Sequence, residues 1–326
     1  MKYGLMTYAE NNKTFNIGDY IQSLAAKQFL PRTDVFINRE KLAQYRNEQV
    51  KLIMNGWFTH NTKNWVPSND IEPLFISFHI NNTAAPNMLN EKGVNYLKSK
   101  QPIGCRDHFT VKLLQEKGVE AYFSGCLTLT LDSYRVDDSE RGNEIYIVDP
   151  LYGFPNKQRI FYNYKSVLRS IQNRDIFKMH IKNKYMKKIF TKEFLKKAQY
   201  IEQELPANTY SEEEKFEIAE ELLHKYARAK LVVTSRIHCA LPCLALGTPV
   251  IYLNGFDSFV DSCRLDGLAE LFNIINIDRN AGFITSNFDV GGKIDSKLEL
   301  KNPNMHEKLV STLKNSCLGF VYFNGK

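Results

Sequence analysis

The 326-residue chain reads as an α/β protein of two domains, each built on its own parallel sheet. Three observations predict this. The length is about twice the ~150 residues of a common domain. Short apolar runs of strand length alternate with patterns of helical period. The alternation also halts at one polar stretch, residues 132–143 (DSYRVDDSERGN), and resumes beyond it.

The elements follow in order. Residues 2–8 form the first strand-like run. After a loop, residues 19–30 carry Ile21, Leu24, Ala25 and Phe29 on one helical face. Residues 34–37, 51–55 and 74–80 are apolar runs between polar punctuation. Residues 102–105 are another, leading into a helix with Phe109, Leu113 and Leu114 that stops at Gly118. The runs 119–124 and 127–131 close a first domain over residues 1–135, with the linker at 132–143. Residues 144–148 open the second domain, 144–326, which takes a basic helical insertion at about 156–200. Ser211 and Glu214 then form a capping box ahead of a helix with Phe216, Ala219, Leu222, Leu223 and Tyr226. A fully apolar strand at 231–233, a helix at 237–246 stopped by Gly247, and a strand at 249–253 follow. Pro242 fits the first turn, where a missing N–H is tolerated, if the helix starts a few residues after Arg236.

Composition excludes several classes. With 43% hydrophobic and 24% charged residues the chain is neither disordered nor collagen-like. No run approaches the ~18 apolar residues of a membrane span, and the N-terminus lacks the apolar core of a signal peptide. Six Cys without CxxC or a Cys/His cluster at zinc spacing read as reduced cytoplasmic thiols, with no metal. No GxGxxG, Walker loop or GxSxG is present, so nicotinamide, NTPase and serine-hydrolase chemistry have no support.

The net charge of +7 is concentrated. Residues 157–197 contain 13 Lys and Arg against Asp175 and Glu193, a local balance of +11, leaving −4 on everything else. Apolar residues recur through this segment at spacings of three and four, which predicts amphipathic helices with basic outer faces. One reading is a solvated helical face. The other is peripheral contact with anionic lipid or an anionic glycan carrier. Nucleic acid has no accompanying motif.

Ligands of open α/β sheets bind beyond the carboxyl ends of strands, near helix N-termini. Three segments fall there. The sharpest is Thr234-Ser235-Arg236-Ile237-His238: the Arg fork suits carboxylate or phosphate, and the His can exchange a proton near neutrality. The alternative is an Arg that only pairs a carboxylate and a satisfied, half-buried His. The second is Asn16-Ile17-Gly18-Asp19, where Gly18 permits close approach and Asp19 can accept from hydroxyls or cap a helix. The third is Arg106-Asp107, which can also be a surface ion pair. Asn55, Gly56, Trp57 and His60 follow another strand and offer amide, indole and imidazole to a sugar or anion. His79, within an apolar run, is either core or ligand. Cys239, Cys243, Trp65 and the aromatic tail 320–323 read as packing.

These segments resemble the polysaccharide pyruvyltransferase family. The likeness rests on Asn16-x-Gly18-Asp19 after the first strand and on Arg106-Asp107 at a helix start. It rests above all on Arg236-x-His238, followed by an apolar helix and Gly247-x-Pro249-Val250-Ile251. Two features depart from the family pattern: Asn55-Gly56-Trp57 stands where a glycine-rich stretch is usual, and Gly125-Cys126-Leu127 where an Asp-Pro is often found. The resemblance implies two Rossmann-like domains facing a cleft, a GT-B-like arrangement. It implies phosphoenolpyruvate as co-substrate and donor, with no cofactor. The acceptor is a glycan or polyprenyl-pyrophosphate-linked sugar and the product a pyruvate ketal of a surface or capsular polysaccharide. Under it, His238 is the acid/base, Arg236 and Arg106 hold donor anions, and Asp19 or Asn16 orients a hydroxyl or the donor. A nucleotide-sugar glycosyltransferase of the GT-B type, or a glycan- or anion-binding protein on the same scaffold, would leave a similar coarse signature.

Overall fold

The computed structural model describes residues 1–8, 14–154, 160–161, 163–172, 175–206, 209–255, 262–278 and 282–323. Lys157, Arg159 and Arg174 of the basic segment lie outside these residues. In chain order the first half runs β1 (Lys2–Thr7), β2 (Thr14–Asn16), α1 (Ile17–Lys27), β3 (Val35–Asn38), β4 (Val50–Phe58), β5 (Ile71–Ile80), α2 (Ala85–Met88), α3 (Glu91–Lys98), β6 (Ile103–Cys105), α4 (His108–Gln115) and β7 (Ala121–Phe123). The second half runs β8 (Ile145–Val148), α5 (Tyr164–Gln172), α6 (Asp175–Ile189), α7 (Lys192–Lys197), β9 (Gln199–Ile201), β10 (Glu204–Pro206), α8 (Glu212–Arg228), β11 (Leu231–Thr234), α9 (Ile237–Ala245), β12 (Val250–Asn254), β13 (Asn273–Ile277), β14 (Ile284–Ser286) and α10 (Glu307–Tyr322).

The protein is therefore α/β, with two six-stranded sheets. The first, ordered β3-β1-β4-β5-β6-β7, is parallel throughout. The second, β14-β13-β12-β11-β8-β9, is parallel except at the β13/β14 edge. Counted within each sheet, both have the order 2-1-3-4-5-6. Each thus reverses direction once, between β1 and β4 in the first and between β8 and β11 in the second. Such a switch point leaves a crevice at the carboxyl ends of the strands. A two-stranded antiparallel ribbon, β2 with β10, ties the loop after β1 to the second half.

Burial explains why the elements form. Ile17, Tyr20, Ile21, Leu24 and Ala25 of α1 are all buried, facing α8, whose Phe216, Ala219, Leu222, Leu223 and Tyr226 are buried in turn. Helix α8 starts at the expected capping box, Ser211 with Glu214. One apolar cluster holds Leu5, Ile53 and Phe78 of the first sheet together with Val232, Val250 and Tyr252 of the second. A second cluster covers the other face of the second sheet with Ile147, Val233 and Leu253 against Phe190 and Phe194.

Three expectations need correction. Residues 127–131 are not a strand: Leu127–Tyr134 is a 3-10 helix, buried against α9. A short apolar run fits either element, and here packing against a helix decides. Pro242 lies inside α9 rather than in its first turn. It has no N–H for the carbonyl four residues back, which is that of His238, and His238 takes a non-helical backbone (φ −82°, ψ 19°). The strand expected at 51–55 extends to Phe58, with a register shift between Met54 and Gly56. Gly56 sits at φ +108°, and a Cβ there would meet Gln22 Oε1 at 2.6 Å, so glycine is required.

Candidate active site

Strand ends of both sheets contribute to one pocket of about 330 Å³. Asp19 comes from the first turn of α1 and Arg39 from the residue after β3. Trp57 and His60 come from the end of β4, Asn81 from the end of β5 and Arg106 from the end of β6. From the second half come Tyr152 after β8, Arg236 and His238 after β11, and Arg264 beyond β12. The pocket thus lies at the switch points of both sheets. Among the described residues, four guanidiniums line it against two carboxylates, Asp19 and Glu204.

His238 stands at the centre of this charge. Gly18 allows α1 to approach it: a Cβ on Gly18 would lie 3.2 Å from the His238 Cβ and 3.1 Å from Asn16 Oδ1. Arg106 Nη1 is 3.5 Å from His238 Nε2. A guanidinium only donates, so Nε2 is the acceptor and the neutral ring carries its proton on Nδ1. Burial, then Arg106, Arg264, Arg236 and Arg39, hold the His238 pKa well below its ordinary 6.5. The free site therefore keeps a neutral imidazole. Burial has the opposite effect on Asp19, whose carboxyl is raised above 3.8 although Arg39 and Arg106 act against the shift.

The arginines are held differently. Arg106 is 1% exposed, and among the described residues its Nε has no hydrogen-bond partner. Behind it, Asp107 turns away from the pocket. Asp107 Oδ1 accepts from the Thr110 N–H and O–H at 2.8 Å, capping α4, and Oδ2 lies 2.6 Å from His79 Nδ1. Burial alone would raise the Asp107 carboxyl, but His79 and then Arg106 pull it below the usual range. The adjacent pair is thus no surface ion pair: one side chain faces the ligand space and the other fixes the helix behind it.

Arg39 lies across two rings, its guanidinium carbon 4.8 Å from the Tyr8 ring centre and 5.1 Å from that of Trp57. Its Nε donates to Glu40 at 3.0 Å, while its buried Nη1 lies 3.8 Å from Asp19 and has no hydrogen-bond partner among the described residues. Arg236 is the most committed. It donates from Nε to Asp149 at 2.7 Å, reaches Glu204 at 3.6 Å, and stacks 4.0 Å from the Tyr152 ring centre. Arg264 donates to the Tyr152 hydroxyl.

The turn carrying Tyr152 is strained, with Asp149 at φ +40° and Leu151 at φ +50°. Ser235 holds it: its Oγ accepts from the Leu151 N–H at 2.8 Å and donates to the Leu253 carbonyl at 2.7 Å.

Of the residues singled out from sequence, Asn16, Asp19, Trp57, His60, Arg106, Arg236 and His238 line the pocket. Gly18, Asn55, Gly56, His79 and Ser235 do not. Gly18 packs beneath His238. Asn55 donates to the Gln22 carbonyl at 2.8 Å within the β4 bulge, and His79 supports Asp107. The Asn16 side-chain oxygen accepts from the Gly18 N–H at 3.0 Å as the α1 cap, so its carbonyl group is engaged. Sequence reasoning missed Arg39, Tyr152, Glu204 and Arg264. Among the described residues no group of three or more His, Cys, Asp or Glu could hold a metal ion.

Comparison with known proteins agrees with the earlier resemblance. The polysaccharide pyruvyl transferase family model matches residues 16–257, about three-quarters of the chain, and the chain belongs to that family. The match takes in Asp19, Arg39, Arg106, Arg236 and His238, and ends before Arg264. A crystal structure of a functionally uncharacterized protein from Klebsiella pneumoniae subsp. pneumoniae NTUH-K2044 is similar over 80% of this chain and 87% of that one. The identity is 12% and the TM-score 0.43. No curated protein sequence matches.

Proposed function

From membership of the polysaccharide pyruvyl transferase family, we propose that the chain transfers the carboxyethylidene group of phosphoenolpyruvate to two hydroxyls of a glycan sugar. The products are a pyruvate ketal and phosphate, made for a surface or capsular polysaccharide. The observation that carries the reading is the convergence of Arg39, Arg106, Arg236 and Arg264 on a buried, neutral His238. Phosphoenolpyruvate carries a carboxylate and a phosphate on one small unit. A pocket of about 330 Å³ with guanidiniums on several sides suits both ends. The two sheets read as two Rossmann-like domains, 1–135 and 144–326, in a GT-B-like arrangement.

The chemistry assigns the protons. Pairing of the donor anions with the arginines lifts the depression of the imidazole pKa, so His238 binds a proton along with the donor. The imidazolium delivers that proton to C3 as the first sugar oxygen bonds to C2, the C2=C3 pair forming the new C–H bond, and the imidazole so freed takes the proton of that hydroxyl. The C2–O bond to phosphate then breaks, the second hydroxyl bonds to C2, and its proton leaves with the phosphate. Asp19, raised by burial and at the pocket wall, orients a hydroxyl.

The test is phosphate release from phosphoenolpyruvate over galactosyl, glucosyl and mannosyl acceptors, free and lipid-linked, with mass spectrometry of the added carboxyethylidene. His238→Ala should lose about 10²–10⁴ in kcat, the range of a positioned acid/base, while phosphoenolpyruvate still raises its melting temperature. Near wild-type turnover would remove His238 from the mechanism. Stabilisation by UDP or GDP instead of phosphoenolpyruvate, with no phosphate released, would overturn the reaction itself.

A further inference from the structure

Helix α5 is inverted for a water-facing surface. Tyr164, Leu168 and Ile171 fall at i, i+4 and i+7, one stripe of a helix. They are 71%, 61% and 51% exposed, and Phe161, just before the helix, is 57% exposed. The residue that α5 buries is Ser170, with Ser166 and Val167 half-buried. A surface helix ordinarily does the reverse, placing the apolar stripe on the core and serines in water. Nothing among the described residues covers the stripe.

Its surroundings are basic. Lys165 and Arg169 of α5 are exposed, and so are Lys184, Lys187 and Lys188 of α6 and the lysines of α7. An apolar stripe flanked by cations matches an interface that is negatively charged outside and apolar a few ångströms within. We propose that α5, with Phe161, docks this protein on an anionic lipid bilayer. The four apolar side chains enter the headgroup–acyl boundary, and Lys184, Lys187 and Lys188 of α6 and the lysines of α7 meet lipid phosphates. The inference does not depend on the identity of the reaction. It does bear on the acceptor. A hollow of about 440 Å³ lined by Lys182, Lys187 and Tyr200 also holds Asp149, the carboxylate that carries Arg236. The basic segment thus adjoins the active pocket, where a lipid-borne glycan would arrive.

The test is co-sedimentation of the full chain with vesicles of phosphatidylcholine containing 30% phosphatidylglycerol, against phosphatidylcholine alone. Binding should need the anionic lipid, weaken with salt, and fall about a hundredfold or more in Leu168→Glu/Ile171→Glu. Both residues are more than half exposed, so folding should survive; circular dichroism checks this, and Leu168→Ser/Ile171→Ser provides a milder variant. Equal binding by wild type and both variants, or no preference for anionic vesicles, overturns the proposal. A wild-type dimer that the substitutions split into monomers, with no vesicle binding, would make the stripe a self-association surface and overturn it too.

Discussion

Arg106→Met should separate what the site costs the free protein from what it gains with ligand. The guanidinium is 1% exposed, and its Nε lacks a hydrogen-bond partner. Burial lowers its pKa, and Arg264 adds to the effect. Asp107, 3.8 Å away, opposes them. An unmet buried N–H costs ~1–3 kcal/mol, and replacing a buried charge by an apolar side chain of similar volume is often neutral or stabilising by ~1–4 kcal/mol. Asp107 would lose a nearby cation but keep His79 and both Thr110 bonds. The free variant should therefore be at least as stable as wild type, by up to about 2 kcal/mol. At roughly 2–4 °C per kcal/mol, that is a rise of several degrees in Tm.

Donor binding should move the other way. Truncating one partner of a buried charge pair costs ~2–5 kcal/mol, or about 30- to several-thousandfold in affinity. Differential scanning fluorimetry with and without phosphoenolpyruvate reads both quantities in one plate. The expected pattern is a higher baseline Tm and a vanished ligand shift. A variant that melts more than about 4 °C below wild type, yet is still stabilised by phosphoenolpyruvate, refutes the reasoning. Arg106 would then be the structural partner of Asp107 and no donor ligand.

Asp107→Ala removes a helix cap, the 2.6 Å contact to His79 and the carboxylate 3.8 Å from the buried Arg106, so it should cost ~3–5 kcal/mol, read as a lower denaturant midpoint in urea. pH acts through the histidines. Burial holds His238 and His79 below 6.5 in the folded chain, so below about pH 6.5 the unfolded chain binds protons that the folded one refuses. The free protein should lose stability as pH falls through that window, measured by Tm between pH 5 and 7.5. By the same linkage phosphoenolpyruvate, by pairing the arginines, should draw a proton onto His238. Calorimetry in buffers of different ionisation enthalpy should find more proton uptake for wild type than for His238→Asn, a difference that cancels the ligand's own titration.

What the sequence revealed of the site follows from strand ends. Arg236 and His238 were legible because a fully apolar strand halts just before them, and Arg106 because residues 102–105 do the same. Asn55 and Gly56 were misplaced because β4 continues through a bulge to Phe58. The true mouth of that strand therefore belongs to Trp57 and His60. Arg39 was hidden in Asn38-Arg39-Glu40-Lys41, a charged run that looks like solvent-facing loop. Its signal was positional: it follows a strand and an asparagine cap, the same criterion that picked out Arg106. Arg264 lies ten residues beyond β12, too far for that rule. Within the fold, the alternating pattern located the parallel strands. The 3-10 segment Leu127–Tyr134 eluded it, since a buried apolar run has no period to distinguish strand from helix.

The shared 2-1-3-4-5-6 order explains why the charge gathers as it does. Each sheet offers one switch-point crevice, and neither alone holds the full set. Arg39, Arg106 and Asp19 come from the first half, and Arg236, Arg264 and His238 from the second. Burial first, and then all four arginines, depress the His238 pKa, so the neutral state of that imidazole is a property of both sheets meeting rather than of its own helix. Four guanidiniums around one ring repel each other, and two of them keep a buried N–H without a hydrogen-bond partner. The arrangement is unfavourable when empty and favourable around an anion with more than one charged group, since each guanidinium gains a partner and loses part of its repulsion at once. A singly charged ligand would relieve only part of that. The electrostatics thus favour a multiply charged anion before any contact specific to its carbon skeleton is made.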